Sequence, residues 1–129
     1  MRLALRPDLG GCIAGLWRDG VAVLRSVEPL ELTASRPSGC YPLVPYSNRL
    51  GYRRFRWLGK DHGTASNFDG SPHSVHGVAW QRPWQVLTSS ASEAEIAYAH
   101  APDEHWPFAF EVRQRFVLEP GHPMHRVRT

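Results

Sequence analysis

Residues 108–118 read Phe-Ala-Phe-Glu-Val-Arg-Gln-Arg-Phe-Val-Leu. Phe108, Phe110, Val112, Phe116 and Leu118 occupy alternate positions, and Glu111, Arg113 and Arg115 stand between them. Successive side chains of a strand point to opposite faces, so this spacing predicts a long strand with one apolar and one solvated face. Helical propensity at Val112–Phe116 is outweighed because the alternation runs the whole length of the stretch. Upstream, Glu95 to His100 repeats the pattern, with Ile96, Tyr98 and His100 on one face and Glu95, Ala97 and Ala99 on the other.

Toward the amino terminus the same period recurs in shorter pieces. Leu3 and Leu5 read as a first strand closed by the turn Pro7-Asp8-Leu9-Gly10-Gly11. Ile13–Trp17 and Val21–Leu24 are apolar runs joined by Arg18-Asp19-Gly20, the composition of a hairpin turn. Residues 26–39 are rich in turn formers and read as irregular, and Arg54–Leu58 reads as a strand ended by Gly59. Its alternation predicts Phe55 and Trp57 toward a core, with Arg54 and Arg56 in solvent. Eleven glycines and eleven prolines spread along the chain fit many short strands better than a few long helices. The expected fold class is all-β, an antiparallel β-sandwich in one domain, 1–129. Toward the carboxyl end, Leu118–His122 starts a turn with too little chain after it for a return strand. The expectation is a truncated sandwich with an uncovered sheet edge, through which copies could associate.

Composition narrows the function classes. The apolar fraction of 42% is that of a folded domain and argues against disorder. Lys60 is the only lysine among fifteen basic residues, and the formal charge of +3 comes without a dense basic block. That argues against nucleic acid as a partner; the cluster Arg53-Arg54-Phe55-Arg56-Trp57 mimics such a surface, but strand alternation explains it better. No apolar run approaches the roughly 18 residues of a membrane span, and no signal-peptide pattern opens the chain, so a cytoplasmic location without membrane contact is expected. Cys12 and Cys40 form no CxxC pair and are expected to be buried free thiols.

Three segments concentrate side chains suited to chemistry. Cys40–Arg49 sets two prolines, Pro42 and Pro45, around an apolar pair and so delivers Asn48 and Arg49 along a rigid extended path. Pro72–Trp80 holds His73, His76 and Trp80, and Glu104–Phe108 adds His105 and Trp106. Carbohydrate sites use such residues, since Asn and Arg bind hydroxyls in pairs while aromatic rings cover the C–H face of a sugar. A neutral histidine can donate to a ring oxygen.

In order and spacing these segments resemble the aldose 1-epimerase family. The resemblance rests on PLVPYSNRL (42–50), F-x-W-x-G from Phe55 to Gly59, Asn67, HGVAWQRPWQV from His76, and WPF at 106–108. It runs from about Leu5 to Leu118. One departure is Arg53, which stands where a turn glycine is expected; Gly51 is read as supplying that turn. The family implies a β-sandwich that interconverts the α and β anomers of an aldose without a metal or organic cofactor. A carboxylate takes the anomeric proton, a histidine protonates the ring oxygen, and the ring opens and recloses.

By this resemblance Arg49 is the substrate-binding arginine and His76 the first active-site histidine, which acts near the ring oxygen. Asn67, Asn48 and Trp80 are candidate substrate-binding positions. The family's second histidine and its glutamate base have no counterpart after Leu118. His122 and His125 do not match the second histidine's surroundings. The chain is therefore expected to be catalytically incomplete, with a monosaccharide such as glucose or galactose as its partner. Two other readings stand beside this one, a non-catalytic carbohydrate-binding module and a nucleic-acid-binding β-domain. The H-x-x-H pairs His73/His76 and His122/His125 lack a nearby third ligand, so no metal is expected.

Overall fold

The computed structural model describes residues 1–119 and Val127–Arg128. The described residues are organised as strands, with helical geometry confined to single 3₁₀ turns at Pro29–Glu31, Gly51–Arg53 and Ala79–Gln81. The first three strands, β1 (Arg2–Arg6), β2 (Cys12–Arg18) and β3 (Val21–Ala22), form an antiparallel sheet in that order. The β2–β3 turn is the one its composition predicts. Asp19 and Gly20 take φ of 51° and 81°, which aligns Trp17 with Ala22 and Arg18 with Val21. The second run is shorter than expected, ending at Ala22 rather than Leu24.

Two small antiparallel ladders follow. One joins β4 (Arg49–Leu50) to β7 (Ser74–Val75), and the other joins β5 (Arg54–Trp57) to β6 (Lys60–Gly63). The last sheet contains β8 (Gln85–Ser89), β9 (Glu93–His100), β10 (Phe110–Val117) and β11 (Val127–Arg128), in the order β11-β10-β9-β8. The alternation of β9 and β10 has the predicted outcome. Ile96 and Phe116 are buried, Val112 is half-buried, and Glu111, Arg113 and Arg115 are exposed.

The main core lies between the two larger sheets. Ile13, Ala79, Trp84, Ile96 and Phe116 form it, and Leu3, Leu5 and Val112 pack against it. Burying side chains of this size contributes roughly 1.5–3 kcal/mol each. A second cluster of Cys12, Ala14 and Leu32 occupies the other side of β2. Thus β2 is covered on both faces, by the last sheet and by the irregular segment after β3. This explains why its sequence, Cys-Ile-Ala-Gly, is apolar without a break.

Several expectations need correction. Trp57 is 57% exposed, because β5 pairs only with the short strand β6 and Phe55 alone turns inward, onto Trp106. Cys40 is exposed although Cys12 is buried, and both are free thiols. Gly51 does not supply the turn before β5; Tyr52 and Arg53 themselves adopt left-handed φ values of 50° and 61°. A return strand does pair with β10, as Val127 opposes Phe116 and Arg128 opposes Arg115. The turn residues expected after Glu119, with His122 and His125, lie outside the described residues. The open edge of this sheet is β8, whose five residues are all exposed.

Candidate functional site

The β4–β7 ladder builds the site. Arg49 pairs with Val75 and Leu50 with Ser74, so the Asn48-Arg49 corner lies against Val75-His76. Beneath the ladder the Tyr46 hydroxyl bonds Ser74 Oγ at 2.8 Å, and Ser74 Oγ bonds Thr64 Oγ1 at 2.8 Å. These buried hydroxyls satisfy one another, which keeps the polar floor from destabilising the fold. Next to it, Val78 and Ala79 donate their backbone N–H groups to the Val44 carbonyl. Gly77 has φ of 68°, and a Cβ there would overlap that same carbonyl. Glycine is needed here because the two chains touch backbone to backbone.

Asn48 and His76 face each other, and both are non-glycine residues in left-handed conformation, with φ of 59° and 60°. Such backbone costs about 1–2 kcal/mol per residue. Two reciprocal bonds hold it. The His76 N–H donates to the Asn48 carbonyl at 2.9 Å, and the Asn48 N–H donates to His76 Nδ1 at 3.0 Å. An Nδ1 that accepts a hydrogen bond carries no proton, so in the neutral ring the hydrogen sits on Nε2. Burial, with Arg49 and Arg36 nearby, lowers the His76 pKa below its ordinary value. The ring is thus a neutral Nε2–H donor at neutral pH.

A cavity of about 200 Å³ opens here, bordered by Arg36, Tyr41, Asn48, Arg49, Phe68, Val75, His76 and Trp80. At about 30 Å³ per water in the liquid, that is room for roughly seven waters, the scale of one sugar ring. Tyr41 lies 5.8 Å from Trp80 and 6.2 Å from His76, centroid to centroid. The Arg36 guanidinium sits over the Phe68 ring at 4.7 Å. Among the described residues, no carboxylate borders the cavity. Asp69, next to Phe68 in sequence, and Glu104 are exposed residues outside its lining.

Of the candidate residues, the fold brings Asn48, Arg49, His76 and Trp80 to this one cavity. Trp80 is only 4% exposed, and its Nε1–H donates to the Val75 and Gly77 carbonyls, so it forms a rigid wall. Asn67 lies outside the lining. Its Nδ2 donates to the Val75 and Gly77 carbonyls, and its Oδ1 accepts the Val75 N–H at 2.8 Å. With both amide hydrogens engaged, it clamps the segment that carries His76. The two histidines of the first H-x-x-H pair diverge, since His73 Nδ1 accepts from the Tyr52 N–H and not from the His76 side of the ladder. Among the described residues, no group of three or more His, Cys, Asp or Glu side chains is arranged to hold a metal. Arg36, Tyr41, Phe68 and Val75 complete the lining, and no sequence motif singles out Arg36 or Phe68. Both come from segments without periodicity and reach the cavity only through the tertiary fold.

A larger hollow of about 320 Å³ lies between β1 and the β8–β9 edge, walled by Leu3, Leu5, Ile96, Phe116 and Leu118. Its volume exceeds that of the His76 cavity, and Ser89, Ser90, Ser92 and Glu93 also border it, but it brings together no histidine, arginine or asparagine.

The sequence profile of the aldose 1-epimerase family matches residues 2–124. The chain belongs to the aldose 1-epimerase family. The Escherichia coli K12 protein YphB, which carries no assigned function, is 33% identical over 111 residues, covering 86% of this chain and 37% of YphB. A crystal structure of a proposed aldose 1-epimerase from Escherichia coli K12 superposes with a TM-score of 0.79 at 30% identity, over 90% of this chain and 38% of that one. A galactose mutarotase-like protein from Clostridium acetobutylicum shares the fold, with a TM-score of 0.67 at 16% identity, over 88% of this chain and 38% of that one. The chain therefore spans well under half the length of these members of the aldose 1-epimerase fold. Among its described residues no helix is long and apolar enough to cross a membrane.

Proposed function

We propose that the cavity between β4 and β7 is the sugar-holding part of an aldose 1-epimerase site, and that His76 and Arg49 are its chemical core. The observation that carries this reading is the Asn48 N–H bond to His76 Nδ1, which leaves Nε2–H as a neutral donor on a cavity that Arg49 also borders. In this role Nε2–H donates to the ring oxygen of an aldose. The Arg49 fork binds neighbouring hydroxyls, with the Asn48 amide beside it, and Tyr41 and Trp80 form the wall against the C–H face.

Anomer interconversion moves two protons. A base removes the proton from the anomeric hydroxyl as C1=O1 forms, and the C1–O5 bond breaks as the ring oxygen gains a proton. Rotation about C1–C2 and reversal give the other anomer. His76 fits the ring-oxygen side of this scheme as a hydrogen-bond donor, its neutral Nε2–H stabilising the negative charge that develops on O5. The proton that O5 takes up comes, like the base, from outside this lining. Among the described residues the lining offers no carboxylate for the anomeric side, so in this reading the base comes from elsewhere and the 129-residue chain holds sugar without turning it over.

Polarimetry on freshly dissolved α-glucose or α-galactose, run beside a sugar titration of tryptophan emission, tests both parts. The expected result is saturable binding, weakened in Arg49→Ala, with mutarotation at the uncatalysed rate. Mutarotation well above background would overturn the missing base. Absence of saturable binding to either sugar would overturn the site. A binding-only module would give the same result in both measurements with this chain, because both readings expect binding without turnover.

A further inference from the structure

The charge around the cavity is one-sided. Seven of the other arginines have a carboxylate within 4 Å among the described residues, namely Arg2, Arg6, Arg18, Arg56, Arg82, Arg113 and Arg115, whereas Arg25, Arg53 and Arg54 have none. Arg36 and Arg49 form no ion pair among the described residues, yet they reach the same cavity of about 200 Å³ from separate segments. The other lining side chains, Tyr41, Asn48, Phe68, Val75, His76 and Trp80, are uncharged when His76 is neutral.

Hydrogen-bonding capacity is equally one-sided. A guanidinium is purely a donor, His76 offers Nε2–H, and only the Asn48 amide and the Tyr41 hydroxyl can accept. A neutral sugar brings hydroxyls that donate as much as they accept, so it leaves part of this lining unmatched. A phosphate or carboxylate is acceptor-only and matches it. Arg36 is suited to receive such a group. Its guanidinium carbon sits over the Phe68 ring at 4.7 Å, a cation–π contact that holds the five-donor group at the cavity.

We propose that this site selects a monosaccharide bearing an anionic group, a phosphate or a carboxylate, and that Arg36 binds the anion while Arg49 and His76 hold the ring. The inference rests on the sugar-site reading above. It is tested by calorimetric titration of the 129-residue chain with glucose, glucose 6-phosphate, glucuronate and inorganic phosphate, at low and at high salt. One added charge-assisted contact predicts that at least one acidic sugar binds about tenfold more tightly than glucose. That ratio should shrink at high salt, and it should collapse toward one in Arg36→Gln and be partly kept in Arg36→Lys. Whichever acidic sugar gains identifies the group.

Equal affinities for glucose and both acidic sugars would overturn this inference and leave the sugar site standing. Inorganic phosphate binding as tightly as glucose 6-phosphate would also overturn it, by showing an anion site without sugar recognition. If none of the four binds, the sugar site itself fails.

Discussion

Replacing Asn67 with alanine separates a clamp from a ligand. In the native fold the Asn67 carboxamide makes three bonds to the backbone of residues 75–77, two as donor and one as acceptor. The Val75 and Gly77 carbonyls retain a second donor, Trp80 Nε1–H, at 3.1 and 3.2 Å, so each loses only part of its satisfaction. The Val75 N–H has no such reserve, and Val75 is 7% exposed. An orphaned buried donor costs about 1–3 kcal/mol, and two weakened carbonyl bonds add roughly 0.5 kcal/mol each, giving about 2–4 kcal/mol. With a urea slope of about 2 kcal/mol per molar, the unfolding midpoint should drop by roughly 1–2 M. Urea denaturation followed by tryptophan fluorescence measures this. Sugar affinity should fall as well, because the loosened segment carries His76. If Asn67→Ala instead keeps its midpoint within about 0.2 M of the wild type yet loses sugar binding, Asn67 touches the ligand directly and is not a clamp.

Arg49→Ala should behave the opposite way. The residue is exposed and forms no ion pair among the described residues, so its midpoint should stay within about 0.5 kcal/mol of wild type, while sugar affinity drops about tenfold or more. His76 has a folded-state pKa below its ordinary 6.5, so the unfolded chain takes up the proton first as the solution is acidified. Its contribution to stability is therefore complete above pH 6.5 and is lost as pH falls from there toward the folded value. Denaturation midpoints measured across pH should show this loss, and His76→Asn should lack that part of it. Thiol labelling should modify exposed Cys40 in the native protein, while Cys12, fully buried and with its thiol pKa raised by burial, should react only after unfolding. Rapid reaction of both thiols in the native state would contradict the packing around Leu32.

The parts of the fold visible in the sequence are those where one strand alone carries the pattern. Phe110–Val117 and Glu95–His100 each alternate long enough for one face to be decided by their own residues. The hairpin at Asp19-Gly20 was visible because its turn chemistry is local. Lys60–Gly63 was not, since Lys-Asp-His-Gly has no strand character. It pairs with β5 because Leu58 and Gly59, at φ of 47° and 75°, form a tight turn that brings it back. Trp57 misled because alternation assigns a face but cannot tell whether anything will cover it. At the cavity, the sequence pointed to Asn48, Arg49, His76 and Trp80 because they sit in ordered motifs on segments that pair directly. It could not separate Asn67 from them, because a clamp and a ligand look the same in one dimension. Arg36 and Phe68 were out of reach, as their positions depend on how the irregular segments pack across Trp80.

The His76 tautomer and its response to sugar report on the proposed site without intermediary. Long-range proton–nitrogen NMR of the ring at neutral pH reports which nitrogen holds the hydrogen, before and during titration with an aldose. The structure predicts a neutral ring protonated at Nε2, with the Nε2 resonance shifting saturably as sugar binds and Nδ1 still accepting from the Asn48 amide. A ring protonated at Nδ1, or an Nε2 signal that ignores saturating sugar, would contradict the account.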